Sequence, residues 1–251
     1  MPFGIYPLLF ATGLIAGLVD SIAGGGGLLT LPVLLAAGLP APLALGTNKL
    51  QASFGSTTAV WHYARCGVVA LRDCWVGIAA TFIGAMLGAH FVQRLSPGFL
   101  EKFLPWLLAA ILIYSIFRPD LGLTDRPARM RPKLFFTAAG LALGFYDGFF
   151  GPGTGSFWAM ACVLALGFNF TKATGYTKVM NATSNLASLI CFAAARHVVF
   201  AAGLSMAAGQ ILGARLGAGL VVRGGARFVR PIFLTMVALV LARVLYVAVT
   251  R

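Results

Sequence analysis

Long apolar runs separated by short polar gaps organise this chain. They fall at residues 3–19, 28–39, 42–64, 73–94, 99–117, 133–146, 156–167, 170–195, 198–221 and 229–249. A helix needs roughly 20 apolar residues, at ~1.5 Å each, to cross a ~30 Å hydrocarbon core. Most of the runs approach or reach that length. Two of them, 28–39 and 156–167, are long enough for only about 18 Å. Each directly follows a glycine-rich stretch, AGGGG at 23–27 and GPGTG at 151–155. This pattern predicts a span, an unwound stretch and then a half-helix. The weak ten-residue alternation of a membrane β-barrel is absent. The expected fold is therefore all-α: a polytopic transmembrane helical protein with about 8–10 membrane segments, two of them broken.

The pattern also repeats. GLVDSIAGGGG at 17–27 recurs as GFYDGFFGPGT at 144–154, LGTNKLQASFGS at 45–56 as TGYTKVMNATSN at 174–185, and GAMLGAH at 84–90 as GQILGAR at 209–215. The offsets are 127, 129 and 125 residues, so order and spacing are kept. Duplicated halves are a common build for secondary transporters. The expected organisation is a first repeat at 1–117, a basic linker at 118–132 and a second repeat at 133–251. Five segments per half, an odd number, would invert the second half relative to the first.

Charge tests that inversion. With the linker in the cytoplasm, an inverted arrangement places ten basic residues inside (Arg65, Arg72, the five at 118–133, Arg223, Arg227 and Arg230) and four outside (Arg94, Lys102, Arg196 and Arg251). A parallel arrangement gives nine and five. The positive-inside rule thus favours inversion, with both termini outside.

Composition narrows the class further. The chain is 59% hydrophobic and only 10% charged, against roughly 25% charged residues in soluble domains. The net charge of +13 would suit nucleic acid if it were patched, but most of the basic residues sit in the gaps between apolar runs. Nucleic acid is therefore not expected as a partner; a lipid bilayer is. The N-terminal run lacks a basic lead and a small-residue cleavage site, and reads as a retained span. The four cysteines show no CxxC spacing, and the His62/Cys66 pair is too small a set for zinc. No metal and no cofactor is expected.

Candidate chemistry concentrates where the repeats match. Glycine stretches at membrane depth let the backbone take positive φ and let a ligand approach; the following half-helix offers free N–H groups and the positive end of its dipole. Gly25, Gly26, Gly153 and Thr154 are the candidate positions. No GK[ST] or βαβ context supports a nucleotide loop. Lys49 and Lys178 are repeat-matched ammonium groups inside apolar spans, where burial is costly and usually functional. Helical spacing places Ser53 and Ser56 on the Lys49 face, and Asn181, Asn185 and Ser188 on the Lys178 face. Asn48 and Gln51 flank Lys49. This collection of donors suits a small oxyanion. Asp20 and Asp147, also matched, either neutralise the lysines and cap helix N–H groups or titrate and couple transport to protons. The glycines at 84, 88, 209, 213 and 217 have the spacing of close helix packing.

Four stretches carry a family resemblance: GLVDSIAGGGGLLTLP at 17–32, LGTNKLQASFGS at 45–56, GFYDGFFGPGTGSF at 144–157 and FNFTKATGYTKVMNATSN at 168–185. With them the sequence resembles the TauE/SafE sulfite-exporter family, also called TSUP, and its YfcA-type members in particular. The resemblance implies a multi-pass transporter in the bacterial cytoplasmic (inner) membrane. It implies a small sulfur-containing anion as cargo, such as sulfite, a sulfonate or a related organosulfur compound. It also implies a central site built from the glycine, asparagine and lysine positions just quoted. The second half has YTK where the first has TNK, so the two halves of the site are not equivalent. A homodimer is a further candidate partner. Two other readings stand beside the transporter: an anion channel, since re-entrant glycine loops also build filters, and an intramembrane aspartyl protease using Asp20 and Asp147. The protease reading lacks the GxGD pattern at its second aspartate.

Overall fold

The computed structural model describes residues 3–93 and 122–250, which are mostly helical with no strand among them. The expected segment 99–117, the topology markers Arg94, Lys102 and Arg251, and the start of the linker lie outside the described residues. The helices are α1 (Tyr6–Ala23), α2 (Gly26–Ala36), α3 (Ala41–Arg65), α4 (Trp75–Val92), α5 (Pro132–Phe149), α6 (Thr154–Leu166), α7 (Phe170–Ala194) and α8 (Phe200–Thr250). The matched motifs produce matched elements: α1 and α5 have 18 residues each, α2 and α6 have 11 and 13, and α3 and α7 have 25 each.

Local chemistry sets the boundaries. Proline stands in the first turn of α1, α3 and α5, where its missing N–H costs nothing and its fixed φ favours helix. Asn169 caps α7 by accepting from the Lys172 N–H at 2.9 Å. Both short helices begin after a glycine in the left-handed region, Gly25 (φ 95°) and Gly153 (φ 85°). The two last apolar runs join into α8, broken at Gly225 with φ 64° and ψ −168°, a conformation open essentially to glycine alone.

Three of the described helices, α1, α4 and α8 as far as Thr235, are long and apolar enough to cross a membrane. The 25-residue helices α3 and α7 would reach ~37 Å, but carry a row of buried polar residues that lowers their hydropathy. Large apolar side chains face outward, among them Ile15, Ile83, Leu87, Ile190 and Leu216. In water so much exposed apolar surface would be a liability; hydrocarbon is its natural surrounding. Trp61 and Trp75 are exposed and suit the interfacial belt, whereas Trp158 is fully buried in the core.

Glycine holds the bundle together. Helix α1 packs chiefly on α8 and α4 chiefly on α5, so segments before the linker pair with segments after it. A methyl at Gly209 or Gly213 would come within 2.7 Å of the Leu14 or Leu18 amide nitrogen, and one at Gly88 within 2.7 Å of the Phe149 nitrogen. These are backbone-to-backbone contacts, the close packing expected from the spacing. The larger apolar core surrounds α6, which is buried along nearly its whole length, while a smaller cluster of Leu9, Leu31, Leu34, Ala44, Ala202 and Met206 holds α2.

Candidate functional site

Two helix breaks meet at the centre of the molecule. The Gly24 Cα lies so close to Gly155 that a methyl on either glycine would stand 2.7–2.8 Å from the other's Cα. Around this contact lies a cavity of about 40 Å³, lined by Asp20, Gly25, Gly26, Gly27, Asn48, Lys49, Ala52, Asp147, Gly151, Thr154, Gly155, Asn181, Asn185 and Gln210. Nine of the twelve sequence-selected residues are in this wall: Asp20, Gly25, Gly26, Asn48, Lys49, Asp147, Thr154, Asn181 and Asn185. Gly153, Gln51 and Lys178 stand behind it.

Two buried ion pairs join opposite halves. Lys49 Nζ donates to Asp147 Oδ1 at 2.8 Å and to the Asp147 carbonyl at 2.6 Å; its third contact is Asn185 Oδ1 at 3.3 Å. Three donors meet three acceptors, so this ammonium is fully committed. Asp147 accepts in addition from the Ser184 hydroxyl. Lys178 Nζ donates to Asp20 Oδ2 at 2.9 Å, and Asp20 Oδ1 accepts from the Gly26 N–H at 3.1 Å. The pairs differ in burial. Lys49 and Asp147 side chains are 2% and 6% exposed, Lys178 is fully buried, and Asp20 is 20% exposed. Both aspartates lie in the last turn of their helices, α1 and α5, where a negative charge opposes the macrodipole. Their crossed lysines offset that penalty, and Asp20 gains the start of α2 as well. The two carboxylates bind different lysines and form no proton-sharing dyad.

The short helices bring backbone donors to the cavity. The Gly27 and Gly155 N–H groups, both in the cavity wall, donate to no group among the described residues. Such free groups at a helix start attract anions. Asparagine amides stand beside them. Asn48 Oδ1 accepts from Thr30 Oγ1 and, at 2.8 Å, from Gln51 Nε2. That leaves the Asn48 Nδ2 group as the donor near Gly27; a methyl there would lie 3.6 Å from it. Gln51 therefore orients Asn48 from behind. On the other side, a methyl on Gly155 would lie 3.1 Å from Asn181 Nδ2. The two corners are alike in chemistry but not in register: Asn48 precedes its lysine by one residue, and Asn181 follows its lysine by three. Ser53 and Ser56 turn away, their hydroxyls bonding the Lys49 and Ala52 carbonyls at 2.7 and 2.6 Å.

Sequence reading missed Gly27, Ala52, Gly151, Gly155 and Gln210 as wall residues. The glycines were legible as members of the same loops. Gln210 was legible only as one of the few polar residues of its span, at a position matched by Ala85 in the first half.

A polar cavity fed by two helix breaks, inside a bundle with an apolar outer face, is the build of a membrane transporter. The profile of the family described as "Sulfite exporter TauE/SafE" matches residues 9–244, and the chain belongs to this family. It is 45% identical over 239 residues to a Haemophilus influenzae protein named "Probable membrane transporter protein", covering 95% of this chain and 94% of that one. It is 46% identical to the Escherichia coli (strain K12) "Probable membrane transporter protein YfcA", covering 95% and 89%. A Sinorhizobium "Probable membrane transporter protein ORF9" is 40% identical, covering 96% and 92%. No solved structure matches the chain significantly. The chain is thus a multi-pass membrane transporter of the bacterial cell membrane, and not an enzyme.

Proposed function

We propose that this transporter carries a small sulfur-containing anion, such as sulfite or a compact sulfonate, by alternating access around the central cavity. One observation carries the reading: two short helices aim the free N–H groups of Gly27 and Gly155 into a single cavity, each beside an asparagine amide. Four neutral donors around one point favour an anion, and hydrogen bonds to a charged group contribute about 1.5–3 kcal/mol each. Size supports the class. At ~10–15 Å³ per water-sized particle, a cavity of about 40 Å³ suits an ion of one central atom and three oxygens. Lys49 supplies positive charge at short range and exchanges its longest bond, the 3.3 Å contact to Asn185, for a substrate oxygen. The description of the family, "Sulfite exporter TauE/SafE", supports sulfur as the central atom.

In this reading the matched motifs are inverted repeats at 1–117 and 133–251, the linker is cytoplasmic and both termini are outside. Rocking of one repeat against the other opens the cavity to each side in turn. The experiment is flux in proteoliposomes: sulfite, methanesulfonate, sulfate, phosphate and chloride, each across a concentration series. Saturable flux of sulfite or methanesulfonate is expected. Unsaturable electrogenic flux would instead identify a channel, and absence of any flux or thermal shift with all five anions would refute the oxyanion reading.

A further inference from the structure

A basic face lies outside the cavity, where α3 and α8 run side by side. The two helices are parallel: a methyl at Gly46 would meet the His197 carbonyl, one at Gly55 the Gln210 side chain, and one at Gly219 would stand 3.8 Å from His62 Nε2. Gly219 is therefore level with His62, in the last turn of α3, which ends at Arg65. Arg215 and Arg223 lie four residues to either side of Gly219, so the three share one face of α8. Both arginines are exposed, and both charges act on the His62 ring. Arg65 stands at the same end of α3, its guanidinium 4.8 Å over the Trp61 ring. Among the described residues no carboxylate pairs with any of these four groups.

The neighbouring stripe of α8 is apolar. Leu212, Leu216 and Leu220, at the same four-residue spacing, are 49%, 57% and 44% exposed and face hydrocarbon in a membrane. Arg215 is out of place beside them, since charged side chains within spans normally face the bundle interior or a partner. It lies ten residues before the break at Gly225, roughly 15 Å along the helix, and no protein anion answers it. Gly219 leaves a notch between the two arginines, where only the His62 nitrogen comes within 4 Å of an added methyl. A phosphodiester in this notch has a guanidinium on each side and the imidazole beside it, with acyl chains along the leucine stripe. A second copy of this chain fits poorly, because a two-fold contact through this face sets arginine against arginine.

We propose that His62, Arg215 and Arg223 form a binding site for the headgroup of an anionic phospholipid on the outer face of α3 and α8. The phosphate supplies the counter-charge that the protein withholds, and the lipid joins the ends of two helices that both border the central cavity. Basic pockets between membrane helices recognise anionic headgroups in this way. The site is independent of the cargo.

The experiment is native mass spectrometry of the purified full-length protein in detergent, titrated with phosphatidylglycerol or phosphatidylcholine of the same acyl chains. The wild type should prefer phosphatidylglycerol roughly ten- to thirtyfold, the scale of two basic residues facing an anionic headgroup. The double variant Arg215→Gln with Arg223→Gln should bring that preference below about threefold. Arg215→Leu with Arg223→Gln serves if the first pair does not fold, since leucine suits hydrocarbon. The control double, Arg72→Gln with Lys133→Gln, removes the same charge from two exposed positions on the same side of the membrane in the proposed orientation, and should keep the full preference. Glycerol phosphate, added in excess, should not displace the lipid; displacement would identify a site for soluble anions and overturn the lipid assignment. A wild type without preference, a preference unchanged in the folded variants, or an equal loss in the control would overturn it too. So would a change of oligomeric state in place of lipid loss, which would make this face a subunit contact.

Discussion

Replacing Lys49 by methionine keeps the length and the apolar stem of the side chain but removes the charge. The structure then holds Asp147 with its side chain 6% exposed, no counter-ion, and only the Ser184 hydroxyl still donating to its carboxylate. Removing one partner of a buried ion pair costs about 3–5 kcal/mol, because an uncompensated charge is left behind. For a chain of this size each kcal/mol corresponds to ~2–4 °C in melting temperature, so a fall of about 6–20 °C is expected. The double variant Lys49→Met with Asp147→Asn removes both charges and keeps an acceptor for Ser184, and should recover at least half of the loss. The parallel pair predicts a smaller effect. Asp20 is 20% exposed and retains the Gly26 N–H, so Lys178→Met should cost only about 1.5–3 kcal/mol, the scale of one charged hydrogen bond. The assay is thermal unfolding in detergent of the purified wild type, the two single variants and the double. A Lys49→Met protein within about 3 °C of wild type, or a double no better than the single, would refute the assignment of Asp147 as a buried carboxylate neutralised by Lys49.

Gly27→Ala should fold normally, since its methyl would meet only Asn48 Nδ2 at 3.6 Å, yet weaken anion binding by crowding the free N–H; unchanged affinity by calorimetry would remove Gly27 from the site. Gly25→Val should instead lower the melting temperature, because φ 95° is a genuine outlier for a β-branched residue, and a stable Val variant would contradict that backbone. Gly213→Leu should unseat α1 from α8, given the backbone contact to Leu18, with unfolding or loss of expression read by size exclusion. Thr124→Cys, exposed in the linker, should label with an impermeant thiol reagent from the cytoplasmic side only, in a Cys66→Ser background; labelling of intact cells would reverse the proposed orientation.

Much of this molecule is readable from residue order alone. Apolar length dictates the helices, because in hydrocarbon a backbone must satisfy itself within each segment. The two runs of about 18 Å, each behind a glycine stretch, could only be half-helices, and α2 and α6 follow them closely. The repeat identified Asp20, Asp147, Lys49 and Lys178 because ionisable groups are too costly in apolar spans to occur there idly. Composition carries no information on pairing, however. That each lysine reaches the aspartate of the opposite half depends on α1 packing on α8 and α4 on α5, and those partners are chosen by glycine faces far apart along the chain. Nor could helical periodicity separate the wall from its support. Gln51 lies three residues from Asn48 but turns to hold the Asn48 oxygen, and Lys178 sits at the same depth in its helix as Lys49 but behind the cavity. Gln210 enters the site only because Gly17 and Gly55, from two other helices, leave it room. A linear pattern specifies which face of a helix is polar; which polar atoms remain unpaired after three helices have closed on one another is decided by packing alone.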